Sequence, residues 1–228
     1  LVSTQKDDTN KVKTLHEIGF TYYRYQKDKS KILEYATKEL ALAKQINYER
    51  GIGSAYLNFG IYSLEEMKFD EAIYYNKKAL AIFEKVPSKL GMSSCYVNLS
   101  IIYMRKGDYK EALSYFSKAI ALKKEVNDIK GISTTYNNIA IVFINQGKYE
   151  EALRYSQTAL KISDSLKNEE GVVRAYNNIG IYFLSQKKYK EALTYFERSI
   201  SENKSQAPSE YGIVYNNIGN VYSDTKQY

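Results

Sequence analysis

The sequence predicts an all-α solenoid of about five antiparallel helix pairs and a terminal helix. Three observations support this fold class. Residue types recur at a fixed interval of 40 along most of the 228-residue chain. Apolar residues within each interval follow a helical period. The chain also has only 2 Pro and 12 Gly residues, so few residues would interrupt long helices.

Several independent columns of residues define the repeat, and all of them share one register. The four full copies carry Gly and Tyr in their first half, and Glu followed by Ala, then Tyr, in their second half. These columns are Gly51, Gly91, Gly131 and Gly171; Tyr56, Tyr96, Tyr136 and Tyr176; Glu71, Glu111, Glu151 and Glu191; and Tyr75, Tyr115, Tyr155 and Tyr195. Fixed periods of this size are typical of solenoids, in which each unit buries its apolar face against its neighbours.

Each unit is predicted to form two helices. In the third full copy, Asp128 is a good helix cap, and apolar residues from Tyr136 to Phe143 recur at i, i+3, i+4 and i+7. Gly147 is predicted to end this helix and Tyr149 to open the second one. Small residues at the helix contacts would let the paired helices approach closely: Gly60, Ala72, Ala112, Ala140, Ala152 and Gly180.

The pattern resembles the tetratricopeptide repeat. That family has an aromatic, Leu-Gly and Tyr in its first helix, and Ala, an aromatic and Ala in its second. The matching residues of the second full copy are, in order, Tyr96, Leu99, Ser100, Tyr103, Ala112, Phe116 and Ala119. The unit is longer than the family's usual length of about 34 residues, and the closing Pro is absent. The resemblance implies a right-handed superhelix whose first helices line a concave binding surface.

The register predicts a single array over residues 1–228. Residues 11–50 are predicted to form a degenerate capping repeat, followed by full repeats at 51–90, 91–130, 131–170 and 171–209. Residues 210–228 begin a further repeat and stop before its Glu-Ala pair, so we expect this last repeat to be truncated.

Composition argues against several classes of function. With 1 Cys and 1 His, the chain can form neither an intrachain disulfide nor a usual structural zinc site. No apolar run approaches the ~20 residues that span a bilayer, and the first ten residues lack the pattern of a secretory signal. No acid–base or nucleophile constellation and no phosphate-binding loop is recognisable. We therefore expect no enzymatic activity, no metal and no cofactor.

The basic residues do not indicate a nucleic-acid partner. The net charge of +7 is spread along the chain, and the aromatic residues occupy packing columns rather than a basic face. Lys-rich runs such as Lys123-Lys124 are predicted to be solvated.

A column of asparagines is the first candidate binding feature. It consists of Asn58, Asn98, Asn138, Asn178 and Asn217. An amide can both donate and accept, so such a column can hold a partner's backbone without reading its sequence. The resemblance to the family supports this role. The alternative is that each Asn bonds within its own repeat or to the next first helix.

Two apolar positions, three residues apart in the first helix of each full repeat, are the second candidate; we call them the apolar column pair. It consists of Ile61 and Leu64, Ile101 and Met104, Ile141 and Ile144, and Ile181 and Leu184. These residues either form an apolar groove for a partner or pack first helix against first helix between repeats. We expect a partner with apolar side chains. Arg105 and Arg174 are the basic residues of this region and lie two repeats apart, which argues against a carboxylate clamp.

The leading hypothesis is a non-catalytic module that binds a protein or peptide along the first helices. Long units and the string YNNIG at 176–180 resemble the repeat regions of bacterial sensor kinases and regulators, especially those of Bacteroidetes. The resemblance implies a sensing role and slightly favours the periplasm over the cytoplasm. An assembly scaffold, self-associating through its truncated end, and a cytosolic peptide receptor are the alternatives.

Overall fold

The chain folds into helices throughout the part that a computed structural model describes, which is residues 8–26, 28–202 and 208–225. Among these residues there are eleven α-helices, one short π-helical segment and no strand. In chain order they are α1 (Thr9–Thr21), the π segment (Tyr22–Gln26), α2 (Lys29–Gln45), α3 (Glu49–Glu65), α4 (Phe69–Lys85), α5 (Lys89–Arg105), α6 (Tyr109–Glu125), α7 (Ile129–Asn145), α8 (Tyr149–Ser165), α9 (Glu169–Ser185), α10 (Tyr189–Ser201) and α11 (Pro208–Thr225). The predicted all-α fold is confirmed.

The helices have a uniform length. Each helix from α2 to α9 has 17 residues. A three-residue turn connects each of them to the next helix. The first helices α3, α5, α7 and α9 begin at residues 49, 89, 129 and 169, which reproduces the 40-residue interval of the sequence.

Most of these turns place their middle residue in the left-handed region. Gly107 and Gly147 do so without steric cost, and the predicted helix end at Gly147 is confirmed. Five residues with side chains do the same, with φ between 50° and 60°: Asn47, Met67, Asn127, Lys167 and Lys187. The conformation is favoured because it aims two turn N–H groups back at the last free helix carbonyls. After α3, for example, Lys68 donates to Ser63 O at 2.8 Å and Met67 donates to Leu64 O at 3.0 Å.

The chain divides into two compact units, and each is described here by itself. The N-terminal unit ends at Val126, and its helices α1 to α6 pack against their successive neighbours. The C-terminal unit begins at Asn127 and packs α7 to α11 in the same way. Short turns between packed neighbours make successive helices antiparallel, so the predicted helix pairs are present in both units.

Paired helices approach closely at small residues. A Cβ atom added at Gly60 would lie 2.3 Å from Asn76 Nδ2, and one added at Gly180 would lie 2.4 Å from Phe196 Cε1. Both distances are too short for a side chain at either glycine. The six small residues that the sequence assigned to these contacts are all buried: Gly60, Ala72, Ala112, Ala140, Ala152 and Gly180.

Aromatic rings fill the space beside each close contact. In the N-terminal unit, Tyr75 of α4 stacks against Tyr56 and Phe59 of α3, with ring centroids 6.0 and 5.3 Å apart. In the C-terminal unit, Tyr195 of α10 stacks in the same way against Phe183 of α9 at 5.1 Å. These tyrosines pack between helices, as the repeat pattern predicts.

A buried polar cluster joins the first three helices. His16 Nδ1 of α1 lies 3.2 Å from Glu39 Oε1 of α2, and the Glu39 side chain is fully buried. The Asn58 amide of α3 donates to Glu39 Oε2 at 2.9 Å and contacts His16 Nδ1 at 3.0 Å. Burial lowers the pKa of His16, but the Glu39 carboxylate and the Ser54 carbonyl outweigh burial and leave this pKa raised. Burial raises the pKa of Glu39, although His16 and Asn58 partly offset it.

Two further features concern the described residues as a whole. None of the helices formed there is long and apolar enough to cross a membrane. Within the same ranges, no three His, Cys, Asp or Glu side chains come together in a way that could hold a metal ion.

Replacing Lys187 by Gly should stabilise the protein. Lys187 is exposed and holds a φ of 56°, which disfavours any residue with a Cβ. We expect the free energy of unfolding to rise by about 0.5–1 kcal/mol in urea titrations. The matched control is Gly147→Ala, where φ is 71° and the added Cβ would touch nothing. That change should lower the free energy of unfolding by about 1 kcal/mol. Unchanged stability in both variants would contradict the view that a Cβ atom at positive φ destabilises these turns.

The His16–Glu39 pair should make stability fall as pH rises. Both pKa values are raised in the folded state, so the folded chain binds more protons than the unfolded one. The contribution of His16 is present below its unfolded pKa of about 6.5 and is lost as pH rises through its folded pKa. Because the pKa of Glu39 is raised as well, the slope belongs to the His16–Glu39 pair, and the His16 variant measures the share that depends on the imidazole. His16→Gln should cost on the order of 3 kcal/mol at pH 6 and clearly less at pH 8.5 in urea titrations. Equal losses at both pH values would contradict this account.

Candidate functional site

Each unit contains a groove formed by three successive first helices. In the N-terminal unit, α1, α3 and α5 line a groove of about 280 Å³, to which one residue of α6 is added. We call it the N-terminal groove. Its lining residues are His16, Glu17, Phe20, Leu57, Ile61, Ser94, Val97, Asn98 and Lys123.

The C-terminal unit has an equivalent groove between α7, α9 and α11, with a volume of about 400 Å³. We call it the C-terminal groove. Its lining residues are Ile141, Ile144, Asn145, Arg174, Asn177, Asn178, Ile181, Ile213 and Val214. Both volumes lie near the lower end of the range of about 300–1,000 Å³ for ligand pockets. A short segment of a partner would fill either groove.

The two grooves differ in chemistry. The C-terminal groove has four isoleucines and a valine, and its polar residues are three amides and one arginine. The N-terminal groove has fewer branched aliphatic residues and includes His16, Glu17 and Lys123. The N-terminal groove therefore carries more ionisable side chains than the C-terminal groove, in which Arg174 is the charged residue of the lining.

The asparagine column does not have one uniform environment. Asn58 is buried and bonds to His16 and Glu39. Asn178 is buried and donates to Asn137 O at 3.2 Å, while it also lines the C-terminal groove. Asn217 of α11 donates to Asn177 Oδ1 at 2.8 Å. Amides of this column thus connect neighbouring first helices.

Two members of the column are more accessible. Asn98 and Asn138 are half-buried, and Asn98 lines the N-terminal groove. Of the five predicted asparagines, Asn98 and Asn178 line a groove, but Asn178 is buried and its amide donates to Asn137 O. Their role in holding a partner's backbone remains a prediction.

The apolar column pair has different environments in the two units. In the N-terminal unit, Ile61 and Leu64 are 6% and 3% exposed, and Leu64 packs with Ile102 and Ala72 in a core cluster. Ile101 packs against the same cluster, and Met104 is half-buried. Leu64 and Ile101 thus take part in packing between the first helices of neighbouring repeats. Ile61 lines the N-terminal groove, and its binding role and that of Met104 remain predictions.

In the C-terminal unit the same column faces a groove. Ile141, Ile144 and Ile181 line the C-terminal groove and are half-buried. Ile181 also packs against the core cluster of α10 and α11, as does Leu184, which does not line the groove. The binding role of these three isoleucines remains a prediction.

The two arginines are both in ion pairs. Arg105 Nη2 lies 3.0 Å from Glu65 Oε1, which connects α5 to α3. Arg174 Nη2 lies 3.0 Å from Glu170 Oε1 on its own helix and borders the C-terminal groove. The binding role of both arginines remains a prediction.

Sequence reasoning missed several groove residues. Phe20 and His16 lie in the degenerate first repeat, where the register is least clear. Lys123 was predicted to be solvated, and this prediction was wrong because Lys123 is only 8% exposed and lines the N-terminal groove. A sequence signal was available at the equivalent position of the preceding repeat, because Phe83 is of a type that is usually buried.

The single cysteine shows no sign of reactivity. Cys95 is buried in a core cluster with Leu57, Ala79 and Phe83. Burial raises the pKa of its thiol, which keeps the thiol protonated near neutral pH.

Solved structures share this fold. Aspartyl phosphate phosphatase F from Bacillus subtilis aligns with a TM-score of 0.74 at 19% identity, over 97% of this chain and 57% of that one. A Rap protein complexed with competence and sporulation factor aligns with a TM-score of 0.72 at 16% identity, over 98% and 67%. NprR in complex with its cognate peptide NprX aligns with a TM-score of 0.68 at 17% identity, over 89% and 58%. At these identities the likeness concerns the fold alone.

The chain thus spans little more than half the length of the phosphatase and NprR structures. A search of curated protein sequences finds no match. A family model described as the tetratricopeptide repeat matches residues 51–125 and 131–201, which is more than half of the chain. The chain therefore belongs to the tetratricopeptide repeat family.

Proposed function

We propose that the chain is a non-catalytic module that binds a peptide or a peptide-like segment of a protein through its first helices. The C-terminal groove is the observation that carries this proposal. It presents Ile141, Ile144, Ile181 and Ile213 on one surface, together with amides at Asn177 and Asn178. Ligand sites generally combine an apolar lining with a few polar groups that orient the ligand.

The exposure of an apolar side chain at the edge of this groove supports a partner there. Ile213 of α11 is 56% exposed although it borders an apolar cavity. A peptide side chain lying in the groove would cover this residue and gain about 25 cal/mol for each Å² of apolar area removed from water. We expect the partner to offer Leu, Ile, Val or Phe side chains and to accept a hydrogen bond from Asn145, the exposed amide of the groove.

The comparisons support the same class of function. One similar structure is NprR with a cognate peptide, and another is a Rap protein with competence and sporulation factor. We propose that this chain likewise takes part in signal transduction, as the sensing region of a larger bacterial protein. An assembly scaffold without a sensing role is the alternative.

The chemistry of the described residues favours binding over catalysis. The His16–Glu39 pair is not placed as a catalytic base, because the imidazole contacts Glu39 on one side and the Ser54 carbonyl on the other. The thiol of Cys95 is buried. We propose no reaction for either groove.

Substituting Ile213 should weaken peptide binding without unfolding the chain. A display library of random, C-terminally amidated 12-residue peptides is selected on the wild-type protein, and Kd values of the recovered apolar peptides are measured by fluorescence anisotropy. Ile213→Asp should weaken these peptides at least about tenfold, because it places a charge against apolar side chains. Circular dichroism should show an unchanged helix content and melting curve, since Ile213 is exposed.

The matched control is Ile129→Asp. Ile129 is also exposed and lies in the same unit, at the start of α7, but does not line the C-terminal groove. Its Kd values should equal those of the wild type. Equal affinities for Ile213→Asp and the wild type, or a library with no apolar binders, would reject the proposal.

A further inference from the structure

Glu39 is a fully buried carboxylate at a position where the other repeats have a small residue. The equivalent residues of α4, α6, α8 and α10 are also fully buried, and they are Ala79, Ala119, Ala159 and Ser199. Packing at this position therefore requires only a small side chain. Replacing a buried ion pair by packed apolar residues often leaves stability unchanged or raises it. The carboxylate in the first repeat thus indicates a role other than packing.

The contact between His16 and Glu39 holds a single shared proton. The imidazole donates to the Ser54 carbonyl, and its Nδ1 lies 3.2 Å from Glu39 Oε1. One proton between these two atoms makes a hydrogen bond, whether the imidazole or the carboxyl group carries it. Without this proton, two unshared electron pairs face each other, and the imidazole no longer neutralises the buried carboxylate. The Asn58 amide donates to Glu39 Oε2, so it does not replace the lost bond at Oε1.

The other charged groups near the pair differ in their effect. Lys13 and Glu17 of α1 are exposed and opposite in sign, so water screens both charges. Lys123 of α6 lines the N-terminal groove together with His16, and its positive charge opposes a protonated imidazole. Burial lowers the pKa of His16, but the contacts with Glu39 outweigh burial, so the pair keeps its proton above the ordinary pKa of a histidine. The polar neighbours on the adjoining turn, on α3 and on α5 have no charge near neutral pH, and they are Tyr48, Ser54, Asn58, Ser94 and Asn98.

The attachment of α1 depends on few buried side chains besides this pair. Its buried apolar residues are Val12 and Leu15, which pack with Leu42 and Ala43 of α2. The pair adds the contact of His16 with α2 and, through the Asn58 amide, with α3. A helix held by few apolar contacts can open locally while the rest of its unit stays folded. Loss of the shared proton should therefore act first on α1.

One wall of the N-terminal groove belongs to α1. His16, Glu17 and Phe20 line the groove from this helix, and Leu57 and Ile61 line it from α3. A release of α1 would remove the first wall and uncover the two apolar residues of α3. The state of the pair thus bears on whether the groove exists.

We propose that His16 and Glu39 form a pH-sensitive latch. While the two side chains share one proton, α1 is held against α2 and α3, and the N-terminal groove is complete. When the proton passes to water through the partly exposed imidazole, α1 is released and the groove loses its wall. The latch concerns the structure of the groove and does not depend on what either groove binds.

Hydrogen–deuterium exchange of the α1 amides, measured on the whole chain by mass spectrometry, tests the latch. Each rate is divided by the intrinsic exchange rate at the same pH, and the α5 amides of the same unit are the internal reference. The opening of α1 should be constant up to about pH 6.5, the pKa of an unperturbed histidine. Above it, opening should increase by up to about tenfold for each pH unit, because opening then releases one proton. The increase should end once the pH passes the raised pKa of the pair.

Glu39→Gln should keep the latch closed at high pH. The Gln amide can donate to His16 Nδ1 while its oxygen accepts from Asn58, so the bonds of the protonated pair are kept without a proton that can be lost. At about pH 8.5, α1 should open at least about tenfold less often in this variant than in the wild type. If Glu39→Gln does not fold, Glu39→Ala takes its place, since Ala is the equivalent residue of α4, α6 and α8. It should likewise abolish the increase with pH.

The matched control is Glu17→Gln, which removes an exposed carboxylate from the residue next to His16 and should retain the increase. Three results would overturn the latch. They are an opening of α1 that is constant between about pH 6.5 and 8.5 in the wild type, an increase that persists without the Glu39 carboxylate, and an equal increase for α5.

Discussion

The close approach of two helices at one small residue is the constraint on which each repeat depends. Gly60 lies against Asn76 and Gly180 against Phe196, with no space for a side chain at either glycine. This contact fixes the distance between the helices of a pair, and the stacked aromatic rings beside it fix their rotation. The face of each first helix that is not used by this contact is then free to meet the neighbouring first helices. The grooves form on that face.

The turns transmit this regularity along the chain. Three-residue turns, left-handed at the middle residue in all but the Pro87 turn, separate the 17-residue helices α2 to α9. Equal helix lengths bring equivalent positions of successive first helices side by side within a unit, which is why one column of the sequence can become one wall of a groove. The Pro87 turn, whose middle residue cannot take a positive φ, still returns Ser88 N–H to Phe83 O at 3.1 Å. The hydrogen bond that ends the helix is therefore kept in this turn, although Pro87 does not adopt the left-handed conformation of the other turns.

Much of the fold could be predicted from the sequence, because the residues that pack the helices recur at the same positions of every repeat. The helix pairs, the buried small residues and the packed tyrosines all follow from columns in which the same residue type recurs. The sites could be predicted less well, because a column gives the direction of a side chain but not its partner. Asn58 and Asn98 share a column, yet Asn58 bonds to a buried carboxylate and Asn98 faces a groove. Lys123 was missed for the same reason, since a lysine pair on a helix is usually solvated and burial depends on the neighbouring repeat. Met67, Lys167 and Lys187 show that a left-handed turn need not be marked by glycine.

The central claim is that the C-terminal groove is a preformed surface that receives apolar side chains. It is tested most directly by ¹³C-methyl NMR of isoleucine-labelled protein during titration with an apolar peptide. We predict that the δ1 methyl signals of Ile141, Ile144, Ile181 and Ile213 shift together as the groove fills. The methyl signals of Ile32 and Ile102, which are fully buried in the N-terminal unit, should stay in place. Shifts that leave the four groove isoleucines unchanged, or that spread to all isoleucines alike, would contradict the claim.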